Sequence, residues 1–222
     1  MFQKFNSNIY NKLTEVDIVK QNSNYNREIL SHFGKIIFKY GYEKTIGISL
    51  IHRHFNLKKN EKMVSKIQSH NFNWITTPTD IDESNLIPIN WQLSFNSTEN
   101  IWGFYPTEFL LNVSEYRLEN KLFLEINKNV DFLSEMADLL IKYKVTDIFG
   151  ISMLLGRLTP NIPKGKVLYE QNYHETKTSK LTIVPTSILS DPDAVTHWHF
   201  EKKIVNGTEQ FIPNNKRWCD HM

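Results

Sequence analysis

The chain has 222 residues, of which 40% are hydrophobic and 13% aromatic, and a formal charge of +2. That length and apolar content support an ordered core, as one domain or two small lobes, and exclude a disordered chain. The charge is nearly balanced and the basic residues fall in short pairs such as Lys58-Lys59 and Lys202-Lys203, which excludes the electrostatic footprint of a nucleic-acid binder.

No apolar run approaches the roughly 20 residues a bilayer span requires. The opening MFQKFNSNIY lacks the basic-then-apolar order of a secretory signal. The single Cys219 cannot form an intramolecular disulfide and suits a reducing compartment. A cytoplasmic protein with no membrane or nucleic-acid partner is expected.

Residues 1–27 are polar and Asn-rich, with a weak strand pattern at 14–19. Asn26 is placed to cap a helix over 27–40, where Ile29, Leu30, Phe33, Ile36 and Ile37 recur at helical spacing and Gly41 supplies a stop. A long strand over 44–55 follows. Its alternation sets Ile46, Ile48, Leu50, His52 and His54 on one face, and Gly47, Ser49, Ile51, Arg53 and Phe55 on the other. Short strands are expected at 62–67 and 71–77, the second broken by Pro78. A hairpin over 89–105 then sets Trp91, Leu93 and Phe95 against Asn90, Gln92 and Ser94, and Pro106 ends it.

The plan then returns. Segments 107–113 and 116–126 read as extended, and Asn129 or Asp131 starts a helix over 130–143. A strand at 147–158 follows, then short strands at 167–171 and 180–184, a turn at Asp191-Pro192-Asp193, and a hairpin over 196–212 around Asn206-Gly207. The triplet Gly47-Ile48-Ser49 recurs as Gly150-Ile151-Ser152, accompanied by Leu30/Leu133, Ser31/Ser134, Lys39/Lys142 and Tyr40/Tyr143. Trp91/Trp198 and Pro106/Pro213 match in the hairpins. The chain therefore reads as an internal duplication, repeat 1 over 1–106 and repeat 2 over 107–222, with a tail from 214 that has no counterpart. The expected fold class is α+β: two tandem repeats, each a helix packed on an antiparallel sheet, related by a pseudo-twofold within one compact unit.

Duplication makes the differences informative. His52 and His54 align with Leu155 and Arg157, and His197 and His199 with Asn90 and Gln92. Residues two apart on a strand point the same way, so each His-x-His can present two imidazoles to one divalent transition metal, Zn²⁺, Fe²⁺ or Cu²⁺. Glu61 and Glu201 follow the two pairs as candidate carboxylate ligands or general bases, and Arg53 and Arg157 as candidate anion clamps. Cys219-Asp220-His221 has metal-capable spacing at the C-terminal tail. The plain alternatives are core histidines for His52 and His54, a solvated strand face for His197 and His199, and solvated charges for the rest. Gly47 and Gly150 read as points where the preceding helix comes close.

No phosphate-binding glycine loop, nucleophile elbow or HExxH motif is present. The leading expectation is a metal-dependent enzyme acting on a small molecule, with His52, His54, His197 and His199 as ligands and Glu61 and Arg53 as catalytic candidates. The alternatives are a non-catalytic binder of an apolar molecule, with Trp74, Trp91, Trp102, Phe104 and Trp198 as lining candidates, and an interaction module that uses exposed sheet edges.

Overall fold

The computed structural model describes residues 1–15, 27–68, 72–159, 161–189 and 194–221, with backbone alone at 27, 194 and 215–221. The helices are α1 (Ser7–Tyr10), α2 (Arg27–Lys39), α3 (Arg117–Lys128) and α4 (Val130–Lys142). The strands are β1 (Ile46–Leu50), β2 (Glu61–Gln68), β3 (Asn73–Asp80), β4 (Leu86–Asn96), β5 (Ile101–Leu111), β6 (Phe149–Met153), β7 (Lys166–Tyr173), β8 (Thr178–Pro185), β9 (Ala194–Val205) and β10 (Thr208–His221). Asn26, the pattern at 16–19 and the turn at 191–193 lie outside the described residues. Among the described residues no helix is long and apolar enough to cross a membrane.

The fold is mixed α+β, with few helices and one sheet of ten strands. Its order is β1-β6-β4-β5-β2-β3-β8-β7-β10-β9, closed by β9 returning to β1. This corrects the expectation of a separate antiparallel sheet under each helix. Most neighbours are antiparallel, but β5 pairs with β2, and β10 with β7, in parallel. β5 pairs with β4 along its whole length, and on its other side Phe109 and Leu110 make the parallel ladder to Val64 and Ser65; residues 217–221 of β10 make the corresponding ladder to β7. Among the described residues every strand has two neighbours, so no strand is an edge along its whole length, although Glu201–Val205 of β9 pair only with β10.

β1 and β6 lie side by side at the centre of this arrangement, Ile48 opposite Ile151, and both are buried along their whole length. Their outward residues share a core with α2 and α4, in which Phe33 meets Phe149 edge-on at 5.7 Å and Phe149 meets Trp198 at 5.8 Å. Trp91 of β4 stacks on Phe2 at 4.7 Å and on Phe123 of α3 at 6.2 Å. Trp91 of β4 and Trp198 of β9 thus pack outside the barrel, and their polar neighbours turn inward.

The two strand glycines have a cause other than the helix. A Cβ on Gly47 would stand 2.4 Å from the Trp198 carbonyl oxygen, and one on Gly150 would stand 2.2 Å from that of Trp91. The close approach comes from the neighbouring strands β9 and β4, which cross β1 and β6 at these points.

Several boundaries differ from the sequence reading. β1 and β6 stop at Leu50 and Met153, well short of 55 and 158. Pro78 and Pro106 lie inside β3 and β5, paired with Met63 and Trp91. Segment 116–126 is helical from Arg117, because Leu118, Leu122 and Ile126 recur at helical spacing beside charged residues. The tail from 214 continues β10 to His221, as 107–111 continues β5. Asn129 does cap α4, its Oδ1 accepting from the Phe132 amide at 3.1 Å.

Candidate metal centre and adjoining cavity

Beyond Leu50 the chain leaves the sheet, and the alternation rule stops applying. His52 and His54 nevertheless end side by side, their ring centroids 4.5 Å apart. With Glu170 of β7 they bring one ligand atom each within 4.8 Å of one another. The residues two positions apart on β7 explain the approach. Leu168, Glu170 and Asn172 are all buried in a strand that runs between β8 and β10.

The hydrogen bonds fix the orientation of both rings. His52 Nδ1 lies 2.9 Å from the Leu50 carbonyl oxygen, which can only accept, so Nδ1 carries the proton. His54 Nδ1 lies 2.9 Å from Asn172 Oδ1, again as donor. A neutral imidazole that donates from Nδ1 keeps its Nε2 lone pair for another partner, the arrangement that orients metal-ligating histidines. His54 Nε2 stands 3.9 Å from Glu170 Oε1. The Glu170 side chain is only 3% exposed and accepts from Ser179 Oγ.

These groups line a cavity of about 30 Å³ inside the barrel, together with Tyr10, Ser49, Asn90, Glu108 and His197. That space suits a water molecule or an ion. Glu108 is a second buried carboxylate: Oε1 accepts from Ser65 Oγ at 2.6 Å and Oε2 from Asn90 Nδ2 at 2.8 Å. Trp74 Nε1 donates to Ser65 Oγ at 2.9 Å and braces that network. Asn90 Oδ1 and Ser49 Oγ, both buried on the cavity wall, have no hydrogen-bond partner among the described residues. Burial pushes the Tyr10 phenol well above its usual range, helped by the Glu108 and Glu170 carboxylates and opposed by the His54 amide and the Arg53 guanidinium. Tyr10 therefore stays protonated, a neutral hydroxyl on the wall.

Asn90 and His197 also line a second cavity, of about 600 Å³. Its buried walls come from Trp74, Ile89, Met153, Leu168, Leu181 and Phe200, and one side is closed by the segment after β6, including Leu155. Glu43, Lys44 and Glu201 stand at half-buried or exposed positions around it. The polar face of β9 is thus turned toward the lumen.

The sequence candidates divide by place. His52, His54 and His197 line the small cavity, and His199, which bonds the Asn214 carbonyl through Nδ1 at 3.1 Å, lines the large one. Arg53 donates to the Asn11 carbonyl at 2.7 Å and pairs with Glu15, holding the N-terminal segment. Glu61 accepts from the Lys58 amide at 2.8 Å, capping the turn into β2. Arg157 bonds Glu119 at 2.7 Å and the Glu115 carbonyl. Register sets Cys219 opposite Glu170 and His221 opposite Asn172. Of the lining candidates, Trp74 borders the large cavity, Trp91 and Phe104 are in the core, and Trp102 is 42% exposed. Glu170, Glu108 and Asn172 went unnoticed in the sequence. Their only local signal is a carboxylate or amide at an otherwise apolar strand position. Comparison with protein-family models, curated proteins and solved structures finds no match to this chain.

Proposed function

We propose that the protein is a metal-dependent enzyme acting on a small molecule, with the metal held by His52, His54 and Glu170. One observation carries this reading: two imidazoles with Nδ1 tied to acceptor oxygens gather with a buried carboxylate within 4.8 Å, on a polar cavity that adjoins a larger one. Two nitrogens and one carboxylate oxygen suit Zn²⁺ or Fe²⁺ and leave coordination positions open. A bound metal would supply Lewis acidity or an activated water or oxygen. Around it, Tyr10 offers a hydrogen-bond donor, Glu108 a base, and Asn90 and His197 contacts to the ligand.

Elemental analysis of gently purified protein, wild type beside His52→Ala/His54→Ala, tests it. Near-stoichiometric metal in the wild type, lost in a folded variant, supports the centre. A folded wild type with no metal after incubation with Zn²⁺ or Fe²⁺ overturns it. The second reading, a non-catalytic binder of an apolar molecule, is favoured by the volume of the large cavity. Such a protein would copurify with ligand and ignore chelators. For an interaction module, barrel closure leaves the exposed end of the β9–β10 hairpin as the surface.

We also infer an internal duplication, residues 1–106 and 107–222 forming one compact unit about a pseudo-twofold. Exchanging β1 with β6, β2 with β7, β3 with β8, β4 with β9 and β5 with β10 leaves the neighbour list unchanged. Gly47 meets the Trp198 carbonyl as Gly150 meets that of Trp91. On this reading Ser65 stands where Glu170 does, and one metal centre exists instead of two. A cytoplasmic setting rests on the lone Cys219.

A further inference from the structure

We propose that the larger cavity takes a neutral, mainly apolar molecule whose one oxygen or nitrogen donor reaches the metal through the Asn90–His197 end. The proposal deepens the metal-centre reading and rests on it. The cavity's about 600 Å³ falls within the roughly 300–1,000 Å³ of small-molecule sites. Apart from Asn90 its buried lining residues are apolar, including Trp74, Met153, Leu168 and Phe200, and they disfavour charge on the part of a ligand that rests against them, while His199 and Glu201 give the cavity a polar side. The two shared residues, Asn90 and His197, mark where a ligand passes from the apolar space to the polar one. Leu168 lines the large cavity and Glu170, two residues on along the same strand, the small one, so a single ligand spans both.

Charge selects the headgroup. Glu108 and Glu170 are the carboxylates lining the small cavity, 9% and 2% exposed. Their two negative charges balance a divalent cation. An anionic headgroup would leave water for a site with no net positive charge, and the lysine lining the large cavity, Lys44, is exposed. A cationic headgroup would compete with the metal. A ketone, aldehyde, alcohol or amide meets neither penalty and can accept from Tyr10.

The test uses the full chain loaded with Zn²⁺ and the fluorescent probe N-phenyl-1-naphthylamine. Its competitors are 2-acetonaphthone and 2-naphthoate, which share a ring system and differ in headgroup charge. The ketone should displace the probe at concentrations about 100-fold lower than the carboxylate. Leu155→Trp fills the cavity from a segment outside the sheet, and should weaken probe binding about 10-fold with metal content unchanged. No probe binding, equal displacement by naphthoate, or full affinity in Leu155→Trp overturns the proposal. A wild type that holds no metal yet prefers the ketone overturns the metal centre and leaves the ligand class standing.

Discussion

The two ends of the β1–β6 ladder are built alike and finish differently. The strands are antiparallel, so the segment after Leu50 and the segment after Met153 leave at opposite ends. At one end the next residues are His52 and His54, drawn to Glu170 and Asn172 beside a cavity of about 30 Å³. At the other they are Leu154 and Leu155, which wall a space of about 600 Å³, followed by Arg157, which turns to Glu119. One scaffold thus holds ionisable groups tightly at one end and leaves room at the other. Side chains make the difference: polar groups supported by amides and hydroxyls crowd the first end, and apolar ones such as Leu154, Leu155 and Met153, with His199 and Glu201, bound the wider space at the second.

The largest expected effect falls at the polar end. His52→Ala/His54→Ala should take metal content from near-stoichiometric to none while far-ultraviolet circular dichroism is unchanged; retained metal would move the ligands elsewhere. Next come the glycines that hold the ladder against its flanking strands. Gly150→Ala and Gly47→Ala should each lose about 3 kcal/mol in urea unfolding, since the clash is with backbone oxygen and cannot be relieved by a side-chain rotation. A loss below about 0.5 kcal/mol at both would show that the strands can separate there.

Asn172→Ala removes the acceptor that orients His54 and should weaken metal binding about 10- to 100-fold, with no effect of the same size from Arg157→Ala at the other end. Metal affinity should also fall as pH drops, because both imidazoles and the carboxylate bind only when deprotonated. The smallest effect lies outside both ends, where Glu135 of α4 accepts from Lys39 and Tyr40 and is held below the usual carboxylate range by those bonds. A depressed folded value means the contribution is present above the unfolded value and lost as pH falls through the folded one. Glu135→Gln should therefore cost a few degrees of melting temperature at most near neutrality, and its gap from the wild type should close in acid.

Sequence alone determined what is local. Helical spacing of Ile29, Leu30, Phe33 and Ile37 places α2, Asn129 or Asp131 marks the start of α4, and Asn206-Gly207 turns β9 into β10. It also singled out His52 and His54, because a paired imidazole in an apolar run is visible without knowing its neighbours. Only the tertiary structure decided what surrounds them. Asn172 lies 118 residues from His54, and Glu170 joins the cluster because the barrel closes through the parallel β7–β10 ladder. Parallel pairing across such separations leaves no periodic trace, since side chains alternate along a strand in the same way whichever direction its neighbour runs. The orientation of β9 followed the same way: alternation separates His197 from Trp198, but only closure makes the polar side the inside. Spacing fixes which residues share a face, and the fold fixes what that face meets.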